Sequence, residues 1–276
     1  MTTRDKVQAA YAQVARSGVS CCGPGACGPE DTARKLGYSD DEVAAGEGAN
    51  LGLGCGNPTA VAELREGEVV VDLGSGAGFD AILCARQVGP AGRVIGIDMT
   101  PEMLARARAN AARLGLRQVE FREGVIEDLP LRDGLADVVI SNCVINLSTD
   151  KPRVLAEAFR VLKPGGRLRV SDVATTRPIS EAARRDVVAW TACLGGALTI
   201  DEYRAHLEGV GFEDVAIETQ GGFGFPDLVQ GPDPIAQGMS PALQADADAF
   251  VSVRVSATRP GDSCCAPADE PASGCC

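Results

Sequence analysis

The stretch Val69-Val-Val-Asp-Leu-Gly-Ser-Gly-Ala-Gly78 decides the fold. The strand candidate that opens it, Glu68–Leu73, is apolar nearly throughout, the pattern of a strand buried on both faces of a parallel sheet. Gly74, Gly76 and Gly78 then let the backbone turn tightly and approach a ligand closely. A helical stretch follows near residues 78–88, and its N-terminus offers free N–H groups and a positive dipole. A second strand, Arg93–Asp98, ends on an acid where a doubly wound fold places its ribose-binding carboxylate. The unit reads as a site for an adenosine-bearing ligand. A generic tight turn and a nicotinamide dinucleotide site remain open at this point.

The same alternation extends outward. Gln118–Arg122, Ala136–Ser141 and Gly166–Asp172 are further strand candidates, with helices near 100–114 and 150–162. Strand–helix repetition means right-handed βαβ units and an α/β, doubly wound, mostly parallel sheet, here expected to have seven strands. Residues 180–194 and 200–210 read as helices. Phe212–Glu218 and Phe250–Ala257 alternate like a closing antiparallel pair, around a Gly- and Pro-rich loop at 220–240. Upstream, residues 4–17 form an amphipathic helix with Val7, Ala10, Tyr11 and Val14 on one face, and 30–46 are helical again. The expected organisation is a helical, Cys-rich segment at 1–58, a ligand-binding core at 59–175, helices and closing strands at 176–258, and a flexible tail at 259–276.

Composition narrows the function. Lys+Arg is 26 and Asp+Glu is 38, a net charge of −12, which argues against nucleic acid or an anionic membrane as partner. The first twenty residues lack an apolar signal core, and no run approaches a membrane span, so a cytoplasmic location is expected. The single histidine, His206, reads as packed or exposed on its helix and leaves little room for His-based catalysis. Eleven cysteines in a reducing compartment are not a stapling framework.

Three of those cysteines fall in strand-end loops that converge over the ligand in such folds: Cys55, Cys143 and Cys193. Thiolates select soft ions. Three sulfurs without histidine or carboxylate suit pyramidal trivalent arsenic, whereas zinc wants a fourth ligand. Each cysteine also has a plain alternative as a small buried hydrophobe, the reading adopted for Cys84.

Asp72–Gly78 (DLGSGAG), the strand-ending Asp98, Gly124–Pro130 (GVIEDLP) and Leu162–Gly166 (LKPGG) together resemble class I S-adenosylmethionine-dependent methyltransferases, with their Rossmann-like sheet. The resemblance implies S-adenosylmethionine as cofactor. Gly74, Ser75, Gly76 and Gly78 would lie under its methionine part, and Asp72 would order the turn or meet the cofactor's amino group. Asp98 would bind the ribose hydroxyls, Met99, Ile126 and Glu127 would meet the adenine, and Asn142 would sit near the sulfonium.

Four longer segments, Gly52–Pro58 (GLGCGNP), Gly96–Met103 (GIDMTPEM), Ala136–Leu147 (ADVVISNCVINL) and Cys193–Leu198 (CLGGAL), resemble the bacterial form of the arsenite methyltransferases. This implies that Cys55, Cys143 and Cys193 hold trivalent arsenic while it is methylated. It also implies that a fourth cysteine, best matched by Cys27 among Cys21, Cys22 and Cys27, is a redox partner of Cys55, reset by thioredoxin or glutathione. Two other functions remain open: a methyltransferase of a small organic substrate, and a non-enzymatic thiol protein for soft metals. The tail pairs Cys264-Cys265 and Cys275-Cys276 would either collect arsenite or be adventitious.

Overall fold

A computed structural model describes residues 1–17, 28–220 and 240–261. One sheet organises them, with strands β1 (Val69–Leu73), β2 (Arg93–Asp98), β3 (Val119–Glu123), β4 (Ala136–Asn142), β5 (Leu162–Thr175), β6 (Leu198–Thr199), β7 (Glu213–Gln220) and β8 (Phe250–Thr258). Their order is β3-β2-β1-β4-β5-β8-β7, with the two-residue β6 pairing on β5. β1 to β5 run parallel, and β8 is antiparallel to both β5 and β7. This is the expected doubly wound sheet with its closing antiparallel pair.

Successive strand residues face opposite sides, so each strand feeds two cores. Val70, Val94, Val138 and Ile140 pack against α4 (Phe79–Val88) and α5 (Pro101–Arg113) through Ala81, Cys84, Ala85, Leu104 and Ala107. Val71, Leu73, Ile95, Ile97 and Val139 pack on the other side. There they meet α6 (Lys151–Val161) and α9 (Ile200–Val210) through Val154, Leu155, Ala158, Tyr203 and Leu207. Cys84 is fully buried in the first of these layers.

The N-terminal helix is α1 (Thr3–Ser17). The expected helix over 30–46 is instead two: α2 (Pro29–Lys35) and α3 (Asp40–Ala45). Gly37 adopts φ +92° between them, and Ser39 opens α3 in a reciprocal capping box with Glu42. The helix over 180–194 also divides, into α7 (Glu181–Arg184) and α8 (Val187–Thr191), because the Asp186 carboxylate accepts from the Val188 and Ala189 N–H groups at 2.8 and 3.1 Å. A last short helix, α10 (Pro241–Ala245), precedes β8. β5 outruns its sequence signal because β8 pairs with it from Arg167 to Thr175. The closing strands are thereby part of the main sheet. Most of the 220–240 loop and of the 259–276 tail lies outside the described residues.

The chain leaves β1 towards β2 and β3, then returns to β4 on the other side of β1. This reversal opens a crevice beyond the carboxyl ends of β1 and β4, the ordinary ligand position in open α/β sheets.

Candidate active site

One cleft at that crevice is lined by most of the predicted site residues: Asp72, Gly74, Ser75, Gly76, Asp98, Met99, Ile126, Glu127, Asn142, Cys55, Cys143 and Cys193. Its volume is about 230 Å³. The first wall is the turn after β1. Gly74, Gly76 and Gly78 all adopt positive φ, +68°, +52° and +90°. A Cβ on Gly74 would lie 2.4 Å from the Val144 side chain, and one on Gly78 would lie 2.8 Å from Phe121, whereas a Cβ on Gly76 would meet nothing within 4 Å. The turn is thus packed from behind and open on the cleft side.

Carboxylates dominate this wall. Asp98 Oδ2 accepts from the Gly76 N–H at 2.9 Å, and Oδ1 accepts from the Thr100 N–H at 2.8 Å. Asp72 is 2% exposed, and its Oδ2 has no hydrogen-bond partner; the Ser75 hydroxyl, also buried, has none either. Asp80, in the first turn of α4, accepts from the Tyr38 hydroxyl at 2.6 Å and from Asn142 Nδ2 at 3.0 Å. Burial pushes all three carboxyls up, Asp72 the more because Asp80 and Asp98 lie near it. Asp80 rises to about 6, held back by its bonds from Tyr38 and Asn142. Among the described residues, hydrogen bonds to these acids come from backbone N–H groups, Thr100, Tyr38 and Asn142, and none from a basic side chain. Buried acids with no counter-ion among the described residues, beside an orphaned hydroxyl, fit a cationic ligand such as the sulfonium and amino groups of S-adenosylmethionine.

The second wall carries sulfur. Cys55 and Cys143 form a disulfide, with Cα atoms 5.6 Å apart. Cys193 is free, 5% exposed, and its thiol donates to the Cys143 carbonyl at 2.8 Å. The three predicted sulfurs therefore meet on one face of the cleft. Cys55 is bonded to Cys143 here; Cys27, the expected redox partner of Cys55, lies with Cys21 and Cys22 outside the described residues. Asn142, at the end of β4 and next to Cys143, holds the Cys55 loop there: its Oδ1 accepts from the Cys55 N–H and its Nδ2 donates to the Gly56 carbonyl. Burial and the nearby Asp172 push the Cys193 thiol up to about 12, against the Tyr11 hydroxyl and Lys151, which favour the thiolate. Cys143 and Cys193 both sit at positive φ, +59° and +64°, where a residue with a side chain is strained.

Two expected side chains are engaged with the protein itself. The Asn142 amide faces the Cys55 loop, Tyr38 and Asp80. Glu127 Oε1 accepts from Ser148 Oγ at 2.6 Å and pairs with Arg4 at 3.2 Å.

Sequence reasoning missed the roof. Arg4, Val7 and Tyr11 of α1 line the cleft. Gln8 Nε2 donates to the Met99 carbonyl at 2.6 Å, and the Tyr11 hydroxyl lies 3.9 Å from Cys193 Sγ. The signal was the apolar face of this helix, which had to cover something; nothing local said what. Also unforeseen is a buried polar group behind Cys193. Asp172 accepts from Asn146 Nδ2 at 2.8 Å, and Lys151 stands 5.4 Å from the Trp190 ring centroid. Burial lifts Asp172 to about 7 and lowers Lys151 to about 8. His206, by contrast, sits on α9 and does not line the cleft.

Comparison with known proteins agrees with this geometry. A family model described as a methyltransferase domain matches residues 64–211. An arsenite methyltransferase of Halobacterium salinarum is 49% identical over 228 residues, 78% of this chain and 58% of that protein. The Homo sapiens arsenite methyltransferase is 40% identical over 168 residues, 58% of this chain and 44% of that protein. The chain spans about half the length of the curated relatives it matches. The crystal structure of CrArsM, an arsenic(III) S-adenosylmethionine methyltransferase from Chlamydomonas reinhardtii, superposes with a TM-score of 0.61 at 32% identity, covering 86% of this chain and 76% of that one. The chain belongs to the methyltransferase-domain family and, within it, to the group of arsenic(III) S-adenosylmethionine methyltransferases.

Proposed function

We propose that this protein transfers a methyl group from S-adenosylmethionine to trivalent arsenic held by Cys55, Cys143 and Cys193. The observation that carries the reading is the meeting of those three sulfurs on a cleft whose other wall is the acid-lined glycine turn. Bound there, S-adenosylmethionine supplies an electrophilic methyl group on a positively charged sulfur. Asp72 and Asp80 provide the negative field, and the open side of the turn at Gly76 receives the cofactor's methionine part. Asp98 takes the ribose hydroxyls, and Met99, Ile126 and Glu127 bound the adenine.

The Cys55–Cys143 disulfide must first take up two electrons and two protons, from one dithiol of the thioredoxin kind or from two glutathione thiols, which leave as a disulfide. Each of the three thiols then replaces one hydroxide of arsenite, releasing one water per sulfur. The pyramidal arsenic keeps its lone pair, which takes the methyl group, so no acceptor proton has to be removed. That accounts for a site without histidine. The chain's contribution is alignment, which can be worth ~7–11 kcal/mol. Methylation formally oxidises arsenic, and a cysteine pair closing to a disulfide returns those two electrons; Cys27 and Cys55 or Cys55 and Cys143 can serve.

The test is to incubate the full reduced chain with methyl-labelled S-adenosylmethionine and arsenite and to identify labelled methylarsenicals. Product formation lost in C143S and C193S supports the reading. Arsenite binding without labelled product would instead make the protein a soft-metal binder.

A further inference from the structure

Asn142 makes an unusual set of contacts for a group at the rim of a ligand cleft. Its Oδ1 accepts from the Cys55 N–H at 3.0 Å. Its Nδ2 donates to the Gly56 carbonyl at 2.9 Å, so one side chain grips both flanks of the Cys55 peptide link. The same Nδ2 lies 3.0 Å from Asp80 Oδ2 and 3.0 Å from the Tyr38 hydroxyl, which itself donates to Asp80 Oδ1 at 2.6 Å. Tyr38 and Asp80 are both buried, and the Tyr38 ring is packed edge-on against Phe79. Ser252 Oγ, from β8, donates to the Cys55 carbonyl at 2.8 Å. Gly54 comes so close that a Cβ there would lie 2.8 Å from the Asn142 amide. The fit between the Cys55 loop and this side chain is therefore tight, and Asn142 is the residue immediately before Cys143.

We propose that Asn142, braced by Asp80 and Tyr38, is a positioning residue that holds the Cys55 loop against Cys143 when their disulfide is open, keeping two sulfurs within reach of one arsenic atom. The inference rests on the reading of Cys55, Cys143 and Cys193 as the arsenic site. It assigns Asn142 to the thiol wall of the cleft instead of to the cofactor. The physical need is clear once the disulfide opens. Cys55 and Cys143 are 88 residues apart in the chain, and Cys55 lies in a loop with no regular structure. Without the covalent tie, the local concentration of one thiol around the other depends on whatever fixes that loop. The bonds to Cys55 N–H and Gly56 O do this directly, and Ser252 adds a third. Asp80 and Tyr38 occupy the rest of the Asn142 amide and stop it from turning away.

Two consequences separate this role from cofactor binding. Exchange with glutathione converts the disulfide and two glutathione thiols into two protein thiols and one glutathione disulfide, with all electrons accounted for. A braced loop favours the closed form, so loosening it favours reduction. A loose loop also weakens arsenite capture while leaving the glycine turn intact.

The experiment uses the full chain. The glutathione equilibrium of the Cys55–Cys143 pair is read by alkylation and peptide mass spectrometry. Arsenite affinity of the reduced protein is read from Trp190, the single tryptophan, whose Nε1 donates to the Leu147 carbonyl beside the site. S-adenosylmethionine affinity is read by calorimetry. In Asn142→Ala the equilibrium moves towards reduction by about tenfold and arsenite binds about tenfold more weakly, the effect of one or two lost hydrogen bonds. S-adenosylmethionine affinity stays within about twofold. Tyr38→Phe and Ser252→Ala move both thiol readouts the same way by about threefold. Unchanged glutathione equilibrium in Asn142→Ala overturns the proposal, as does lost S-adenosylmethionine affinity with native arsenite binding. If Asn142→Ala does not fold, Tyr38→Phe and Ser252→Ala decide, and a shift in neither overturns it. Failure of the native reduced protein to bind arsenite refutes the arsenic reading, while the glutathione equilibrium still tests the brace.

Discussion

The glycine turn after β1 and the loops that carry Cys55, Cys143 and Cys193 face the same cleft but are built in opposite ways. The turn is local. Its glycines follow one another in the chain, its shape is set by their positive φ, and its acids hang on two adjacent strands and the helix between them, with Asp72 in register opposite Gly96. The thiol wall is assembled from afar. Cys55 and Cys143 are 88 residues apart and Cys193 is 50 further on, and they meet because the loop before β1, the end of β4 and the end of α8 reach the same rim. A local turn can be broken only by changing its own residues. An assembled wall depends on side chains, such as Asn142, that never touch the reaction.

This difference can be sharpened by four measurements. The largest effect is expected at the assembled wall. Cys193→Ser should lower arsenite methylation by about a thousandfold or more, because one of three anchors that align the reactants is gone. Binding of S-adenosylmethionine should stay within about twofold. Equal loss of cofactor binding would show that the two walls are not separate devices.

The second measurement concerns pH. Asp172, fully buried behind Cys193, has its carboxyl pushed from 3.8 up to about 7, chiefly by burial. Its raised value means that the folded state holds the proton better than the unfolded one. The stability it contributes is complete below pH 3.8 and is lost as pH rises through about 7. Relative to Asp172→Asn, native stability should therefore fall by up to roughly 4 kcal/mol between about pH 4 and pH 7. Denaturant titrations of both proteins across that range measure it, and parallel curves would contradict it.

Third, Gly74→Ala should cost about 1–3 kcal/mol of stability, since it puts a Cβ on a left-handed residue and drives it into Val144. Cofactor affinity should fall by at least about tenfold, with the Cys55–Cys143 glutathione equilibrium unchanged. A change in that equilibrium would tie the turn to the thiol wall. The smallest effect is expected far from both. Arg177 pairs with Asp246 at 2.9 Å and with Asp248 at 2.6 Å while half-exposed, and Arg177→Ala should change stability by less than about 1 kcal/mol. A larger loss would mean that the α10 segment supports the site.

The same division separates what could be read in advance. Val69–Gly78, Asp98, the strand candidates and the closing pair were legible because buried parallel strands and glycine turns leave short-range signatures. The helices over 30–46 and 180–194 were legible as helical but not as broken. Their interruptions come from a left-handed Gly37 and from the Asp186 cap, each a single-residue choice inside a helical pattern. The α1 roof showed its apolar face but not its target.

The sequence by itself determined the doubly wound sheet, the acid-lined turn and the candidate sulfurs, because each depends on residues close together or on residue chemistry alone. Tertiary structure decided the rest: which two sulfurs bond, how Asn142 and Ser252 seat the Cys55 loop, that α1 closes over the cleft, and that Asp172 and Lys151 are buried behind Cys193. These are distances between segments far apart in the chain. They are fixed by how the strand ends converge, which no local pattern encodes.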